Sequence, residues 1–312
     1  MNTFLSYLES NGLSAATVKH YNMHTLQFIG WLDIQNVETE NVSAREVTGY
    51  LQHLQKRGNG VVARNVQLIA LKHFFDYEIK QERRIDNPAR HIKLRGVKYR
   101  KLHTILSVQQ MEALYANYNV PTSEDVRSNR NWFTLYQLSR RRNKVVLGLM
   151  IWQGLTTPEI DNLQLVDVKL REGKIFIHGS RKSAERMLEL KSHQIMDMME
   201  YQFTTRNELQ KYSTQNNNHF FIGLPSAGKT TSVATTTENI WKAFSRDLEQ
   251  QNEKFKNFQQ IRASVITHWL SQYNLRQVQY MAGHKNISST EKYQANQMDE
   301  LQLEIEKYHP IG

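Results

Sequence analysis

The chain has 312 residues, 39% of them apolar, with 40 lysines and arginines against 30 acidic residues and a formal charge of +10. That length allows two domains, and the positive balance favours a large anionic partner, of which nucleic acid is the commonest, although ribosomal and membrane-surface proteins share the property. The lack of cysteine excludes disulfides, thiolate catalysis and cysteine metal sites, and the lack of a bilayer-length apolar run or an export leader points to the cytoplasm.

Residues 1–88 read as four or five helices. Ser14 caps a helix carrying Val18, Tyr21, Leu26, Phe28 and Trp31, and Ser43 begins another with Val47, Tyr50, Leu51 and Leu54. Arg57-Gly58-Asn59-Gly60 interrupts the pattern, which resumes from Val61 to Ile79. Asp86-Asn87-Pro88 closes it, because proline biases the preceding residue away from helix. Such a bundle suits a protein-interaction module as well as a DNA-binding one. Between His91 and His103 lie Lys93, Arg95, Lys98, Arg100 and Lys101 with no acid among them. A basic connector can track a phosphate backbone by releasing counterions, or be a solvated linker extended by its own repulsion. Its place between two folded units favours DNA.

From Ser107 the pattern is mixed. Val108 to Tyr118 looks helical, and a longer helix holds Arg140-Arg141-Arg142 and Val145 to Trp152 before ending at Gly154. Thr157 can cap the next helix with Pro158 in its first position. Val166 to Val168, Lys174 to His178 and Arg186 to Leu190 alternate like three antiparallel strands, the last two joined by a turn that presents Arg181 and Lys182. Helices are expected at about Gln194–Tyr212, Thr237–Gln250, Gln260–Ser271 and Leu275–Met281. Near the end, Gly283-His284 precedes Tyr293 by nine residues. An imidazole and a phenol so spaced can face one reacting atom if a short helix folds the second back. A core histidine followed by a surface tyrosine is the plain alternative.

Taken together, Gln153-Gly154-Leu155 with Glu159-Ile160, the hairpin with Arg181 and Lys182, Ile261-Arg262, Ala282-Gly283-His284 and Tyr293 resemble the boxes of the tyrosine recombinases, the phage-integrase family. The resemblance implies a mainly α fold with a small antiparallel sheet (α+β). Residues 1–90 would be the helical core-binding domain, 91–105 a basic linker, 106–297 the catalytic domain and 298–312 a tail helix. It implies site-specific cleavage and rejoining of double-stranded DNA through a 3′-phosphotyrosyl bond, without metal or cofactor, serving a mobile element. On this pattern Tyr293 is the nucleophile, Arg262 a phosphate clamp, His284 a donor to a phosphate oxygen, and Lys182 the leaving-group acid, with Arg181 the alternative. Arg181, Lys93, Arg95, Lys98, Arg100, Lys101, Arg140 and Arg141 are the expected DNA contacts.

Two positions depart from the family pattern. Thr156 stands where the first arginine belongs, and Gln259 where a histidine or lysine would precede the second. Threonine offers one neutral donor in place of a charged fork, and glutamine hydrogen-bonds but cannot shuttle a proton. Arg181, Arg186 or one of Arg140 to Arg142 could substitute, or the chain could be a DNA-binding relative that has lost turnover and acts architecturally.

Gly223 to Thr230 matches GxxxxGK[ST], but the stretch after it is a poor helix start, so a loop between a strand at His219–Ile222 and the next helix is expected, not a nucleotide cradle. Leu301, Ile305 and Tyr308 form one apolar stripe, which in the family docks a neighbouring protomer within a tetramer; packing on its own domain is the alternative.

Overall fold

The computed structural model describes residues 3–96, 104–122, 131–212, 218–223 and 238–294, without the side chains of 131, 132, 238 and 239. The chain divides into a unit of Met1–Lys101 and a unit of Leu102–Gly312. No helix among the described residues is long and apolar enough to cross a membrane.

The first unit contains α1 (Phe4–Ser10), α2 (Ala15–Ile34), α3 (Ala44–Lys56) and α4 (Val61–Lys80). The starts of α1, α2 and α3 follow from side chains that satisfy otherwise orphaned amides, while α4 starts after Gly60 without one. The Ser14 hydroxyl accepts from Thr17 N at 3.3 Å, and Glu46 returns to Ser43 N at 2.8 Å. The apolar stripes meet around Phe28, Tyr50, Leu71 and Phe75, and there Tyr50 Oη donates to Gln67 Oε1 at 2.8 Å. Arg84 closes the turn before α3 by donating to the carbonyls of Thr39, Glu40 and Val42 at 2.7, 2.6 and 2.7 Å.

In the second unit, α5 (Val108–Ala116) lies against α6 (Asn131–Gln153), whose buried run Val145, Val146, Leu147, Leu149, Met150 and Ile151 forms the centre of the core. Then come α7 (Thr157–Asn162) and a sheet of β1 (Val168–Lys169), β2 (Lys174–Ile177) and β3 (Arg186–Glu189), antiparallel in that order. The remaining helices are α8 (Ser192–Glu200), α9 (Arg206–Gln210), α10 (Glu238–Gln251), α11 (Phe258–Gln272) and α12 (Leu275–Ala282). Ile177 pairs with Arg186 and Ile175 with Leu188. The period-2 alternation therefore turns Arg186 inward with Ile175, Ile177 and Leu188.

The mainly helical α+β architecture agrees with the sequence, and four local expectations need correction. Thr156, not Thr157, is the N-cap of α7. Val166 and Asp167 lie in a 3-10 turn, so β1 is shorter and later than the alternation suggested. The single helix expected over Gln194–Tyr212 is interrupted by a π turn at Tyr201–Thr205. His219–Ile222 is no strand, since only an isolated bridge from Gln164 to His219 forms there. Side chains take the ladder's place: Arg206 Nη2 donates to His219 O at 2.8 Å, Tyr201 Oη to Phe220 O at 3.1 Å and Arg142 Nη1 to Ile222 O at 3.0 Å. Residues 224–230 and 298–312, which hold most of the GxxxxGK[ST] match and the tail, lie outside the described residues.

Candidate active site

Two helix ends that stop in left-handed glycines frame the site. Gly154 ends α6 at φ +60, and a Cβ there would come within 3.1 Å of the Trp269 ring. Gly283 ends α12 at φ +67, where a Cβ would stand 2.4 Å from Arg186 Nη1. Any other residue at 283 would meet both the backbone strain and the guanidinium. Arg262, on α11, spans the two ends: its Nη1 donates to Gly154 O, and its Nη2 donates to Ala282 O at 2.6 Å.

Glu159 is the hub between them. Thr156 starts α7, and its amide and hydroxyl both donate to Glu159 Oε2 at 2.9 Å, the capping-box arrangement. Arg186 Nη1 reaches Oε1 at 2.8 Å, and Arg262 Nη1 lies 3.8 Å from Oε2. Burial acts to push the Glu159 carboxyl up, but the Arg186 hydrogen bond and charge, the Thr156 amide and Arg262 outweigh it and hold the group below the usual carboxylate range.

His284 follows Gly283 directly. Its Nδ1 lies 2.9 Å from Thr290 Oγ1, and its ring stacks on that of Tyr293 at 5.8 Å between centroids and 9° between planes. The fold-back comes from a helix over residues 288–294, which brings the phenol back over the imidazole. Tyr293 lies close enough to Arg262 to raise its proton affinity, although burial lowers it overall. Burial first, then the charges of Arg262 and Arg186, push His284 down to about 4, so near neutrality the imidazole is uncharged.

The turn of the β2–β3 hairpin borders the same box. Ala184 N donates to Gly283 O at 2.8 Å and Ser183 bridges His284, while Arg181 and Lys182 are exposed at the tip. Gln259 is exposed on the first turn of α11, one turn before Arg262. Sequence reading did not identify Thr290 or the hub role of Glu159, although the Thr156-x-x-Glu159 spacing is a capping-box signature that marks the second.

Of the two DNA contacts expected on α6, Arg140 is turned into the fold and needs correction. Arg140 is 7% exposed, pairs with Asp247 at 2.9 Å and stacks on Tyr118 at 3.8 Å. Arg142 is 3% exposed, its donors taken by Asn143 and Ile222 O. Arg141 is half-buried and meets Glu200 at 3.1 Å. Helical spacing sends the three in different directions, and packing takes two of them inward. Lys93 and Arg95 are exposed, while Lys98, Arg100 and Lys101 fall outside the described residues.

The Phage integrase family profile matches residues 106–300, and that of the Phage integrase N-terminal SAM-like domain matches residues 1–82. The chain belongs to the phage integrase family. Tyrosine recombinase XerA of Thermococcus kodakarensis is 22% identical over 97% of this chain and 93% of its own. Tyrosine recombinase XerD of Staphylococcus saprophyticus is 24% identical over 98% and 97%. Among solved structures, the XerH site-specific recombinase bound to a palindromic difH substrate, a post-cleavage complex, has a TM-score of 0.67 at 17% identity, covering 97% of this chain and 82% of that one. The Tn1549 transposon integrase in complex with transposon right end DNA has a TM-score of 0.63 at 16% identity, covering 98% of each chain. These likenesses establish the shared fold of this integrase-family chain.

Proposed function

We propose that this integrase-family chain is a site-specific DNA recombinase whose strand-cleaving site is built from Tyr293, Arg262 and His284. The observation that carries this is the stack of Tyr293 on His284 beside Arg262; a phenol, an imidazole and a guanidinium so close together support the roles of nucleophile, neutral donor and phosphate clamp. Tyr293 Oη bonds to the scissile phosphorus as the bond to the 5′-oxygen breaks. The phenol proton passes to solvent water, and the 5′-oxygen takes up a proton from Lys182, or alternatively Arg181, at the hairpin tip. Arg262 has five N–H groups, two of them committed to backbone carbonyls, so it keeps donors for the non-bridging oxygens. In the tautomer whose Nδ1 accepts from Thr290 Oγ1, the neutral His284 carries its proton on Nε2 and donates a hydrogen bond to a phosphate oxygen. Gln259, one turn before Arg262, would add a neutral hydrogen bond to a phosphate oxygen.

On this reading residues 1–90 bind DNA as the core-binding domain, the basic segment 91–105 follows the phosphate backbone, and 106–297 carry out catalysis. The stripe in 298–312 joins protomers into a tetramer on DNA. A second reading is favoured by Thr156, which occupies the family's first arginine position: a relative that binds DNA architecturally without turnover. Capture separates the two. Fragmented genomic DNA of the source organism is incubated with the chain, and covalent adducts surviving denaturant are sequenced. A recombinase yields adducts at a shared sequence, lost in Tyr293→Phe; a chain that binds DNA yet yields none is the architectural relative.

A further inference from the structure

Among the described residues, Arg186 is the one with two buried side-chain nitrogens, Nε and Nη2, that meet no hydrogen-bond partner. It is 2% exposed, anchored through Nη1 to Glu159 at 2.8 Å and packed against the bare backbone of Gly283. Buried donors in folded proteins are ordinarily paired, because an orphan keeps its full desolvation cost. The charge is unbalanced as well. Two guanidiniums, Arg186 and Arg262, share the single carboxylate of Glu159, and Arg186 acts on both Arg262 and His284. What the arrangement lacks is an anion with two acceptors side by side. A phosphodiester's non-bridging oxygens have that form, and the Nε/Nη2 edge of a guanidinium matches it as a fork.

We propose that Arg186 donates through Nε and Nη2 to the non-bridging oxygens of the phosphate attacked by Tyr293, and so supplies the guanidinium that Thr156 does not. The inference rests on the recombinase reading above. Thr156 and Arg186 grip opposite oxygens of one carboxylate, Thr156 Oγ1 on Oε2 at 2.9 Å and Arg186 Nη1 on Oε1 at 2.8 Å. The strand residue thus reaches from the hairpin side the place that residue 156 borders from the helix side. The β3 pleat fixes the direction, Glu159 fixes the pivot, and Gly283 leaves the room. Both free nitrogens are closed to water in the DNA-free chain, so a phosphate reaches them only as the lining of the pocket shifts, and the Glu159 anchor then holds the guanidinium in place for it.

The test measures single-turnover adduct formation on a nicked duplex carrying the captured cleavage sequence, with the scissile group either a phosphodiester or a methylphosphonate, in which a methyl replaces one charged oxygen. Arg186→Met should slow phosphodiester cleavage by about 10²- to 10³-fold while DNA binding holds, and most of that deficit should vanish on the methylphosphonate, where there is less charge to answer. An equal deficit on both substrates marks a structural role and overturns the proposal. Arg186→Lys, which can keep Glu159 paired but loses the fork, provides the same comparison should the methionine variant unfold. Wild-type adduct with undiminished Arg186→Met overturns this inference alone, whereas no wild-type adduct overturns the recombinase reading with it.

Discussion

Arg84 in the helical unit has a side chain largely covered and Arg142 in the core of the second unit is buried as Arg186 is, yet every nitrogen of theirs has a partner. Arg84 serves the carbonyls of Thr39, Glu40, Val42 and Asp86 and the Asp86 carboxylate. Arg142 serves Asn143 Oδ1 and Ile222 O. Arg186 has one bond, to Glu159, and two idle nitrogens. The same side chain is used in two ways: saturated, it ties loops together; unsaturated beside a second guanidinium, it leaves a charge for something outside the chain. Burial alone does not tell these apart, and a donor-by-donor account does.

The comparison can be broken most sharply at the hub. Glu159→Ala leaves Arg186 buried without a counter-charge and should lower stability by about 3–5 kcal/mol, read by urea denaturation; a loss under about 1 kcal/mol would mean the pocket balances its charge elsewhere. Arg142→Met orphans the acceptors it serves and should cost about 1–3 kcal/mol, with cleavage per folded molecule unchanged; a fall in cleavage there would erase the distinction. Gly283→Ala puts a Cβ 2.4 Å from Arg186 Nη1 at φ +67, so about 1–2 kcal/mol of backbone cost should come with a marked drop in adduct formation. The last test is the pH dependence. His284 falls from 6.5 to about 4 on folding, so between those values the unfolded chain holds more protons than the folded one. Stability therefore rises with pH through that window and declines as pH falls through it. His284→Gln should flatten this part of the pH profile of the denaturation midpoint, and an unchanged slope would refute the assignment.

Much of the helical unit was legible because its boundaries are local chemistry: Ser14 and Ser43 cap, and the Arg57–Gly60 break separates α3 from α4. The Gly-His box and Tyr293 could be read by spacing, and the structure brings their rings together. What stayed hidden depends on tertiary context. Arg140-Arg141-Arg142 reads as a basic patch, but successive residues turn about 100° on a helix, and nothing local says which will face the core. The apolar run at 219–222 has a strand's composition, yet Arg142, Tyr201 and Arg206, remote in sequence, take its carbonyls. At Thr156-Thr157 either residue could cap, and Glu159, three positions after the first, decides between them.

The tie between the hairpin and the Gly-His box has a mechanical consequence. Because Ala184 N holds Gly283 O and Ser183 is bridged to His284, Arg181 and Lys182 ride on the lever that also carries the imidazole's peptide planes. The loop and the box are geared: any displacement of the hairpin tip is carried through these two backbone links to the peptide planes that hold the His284 ring.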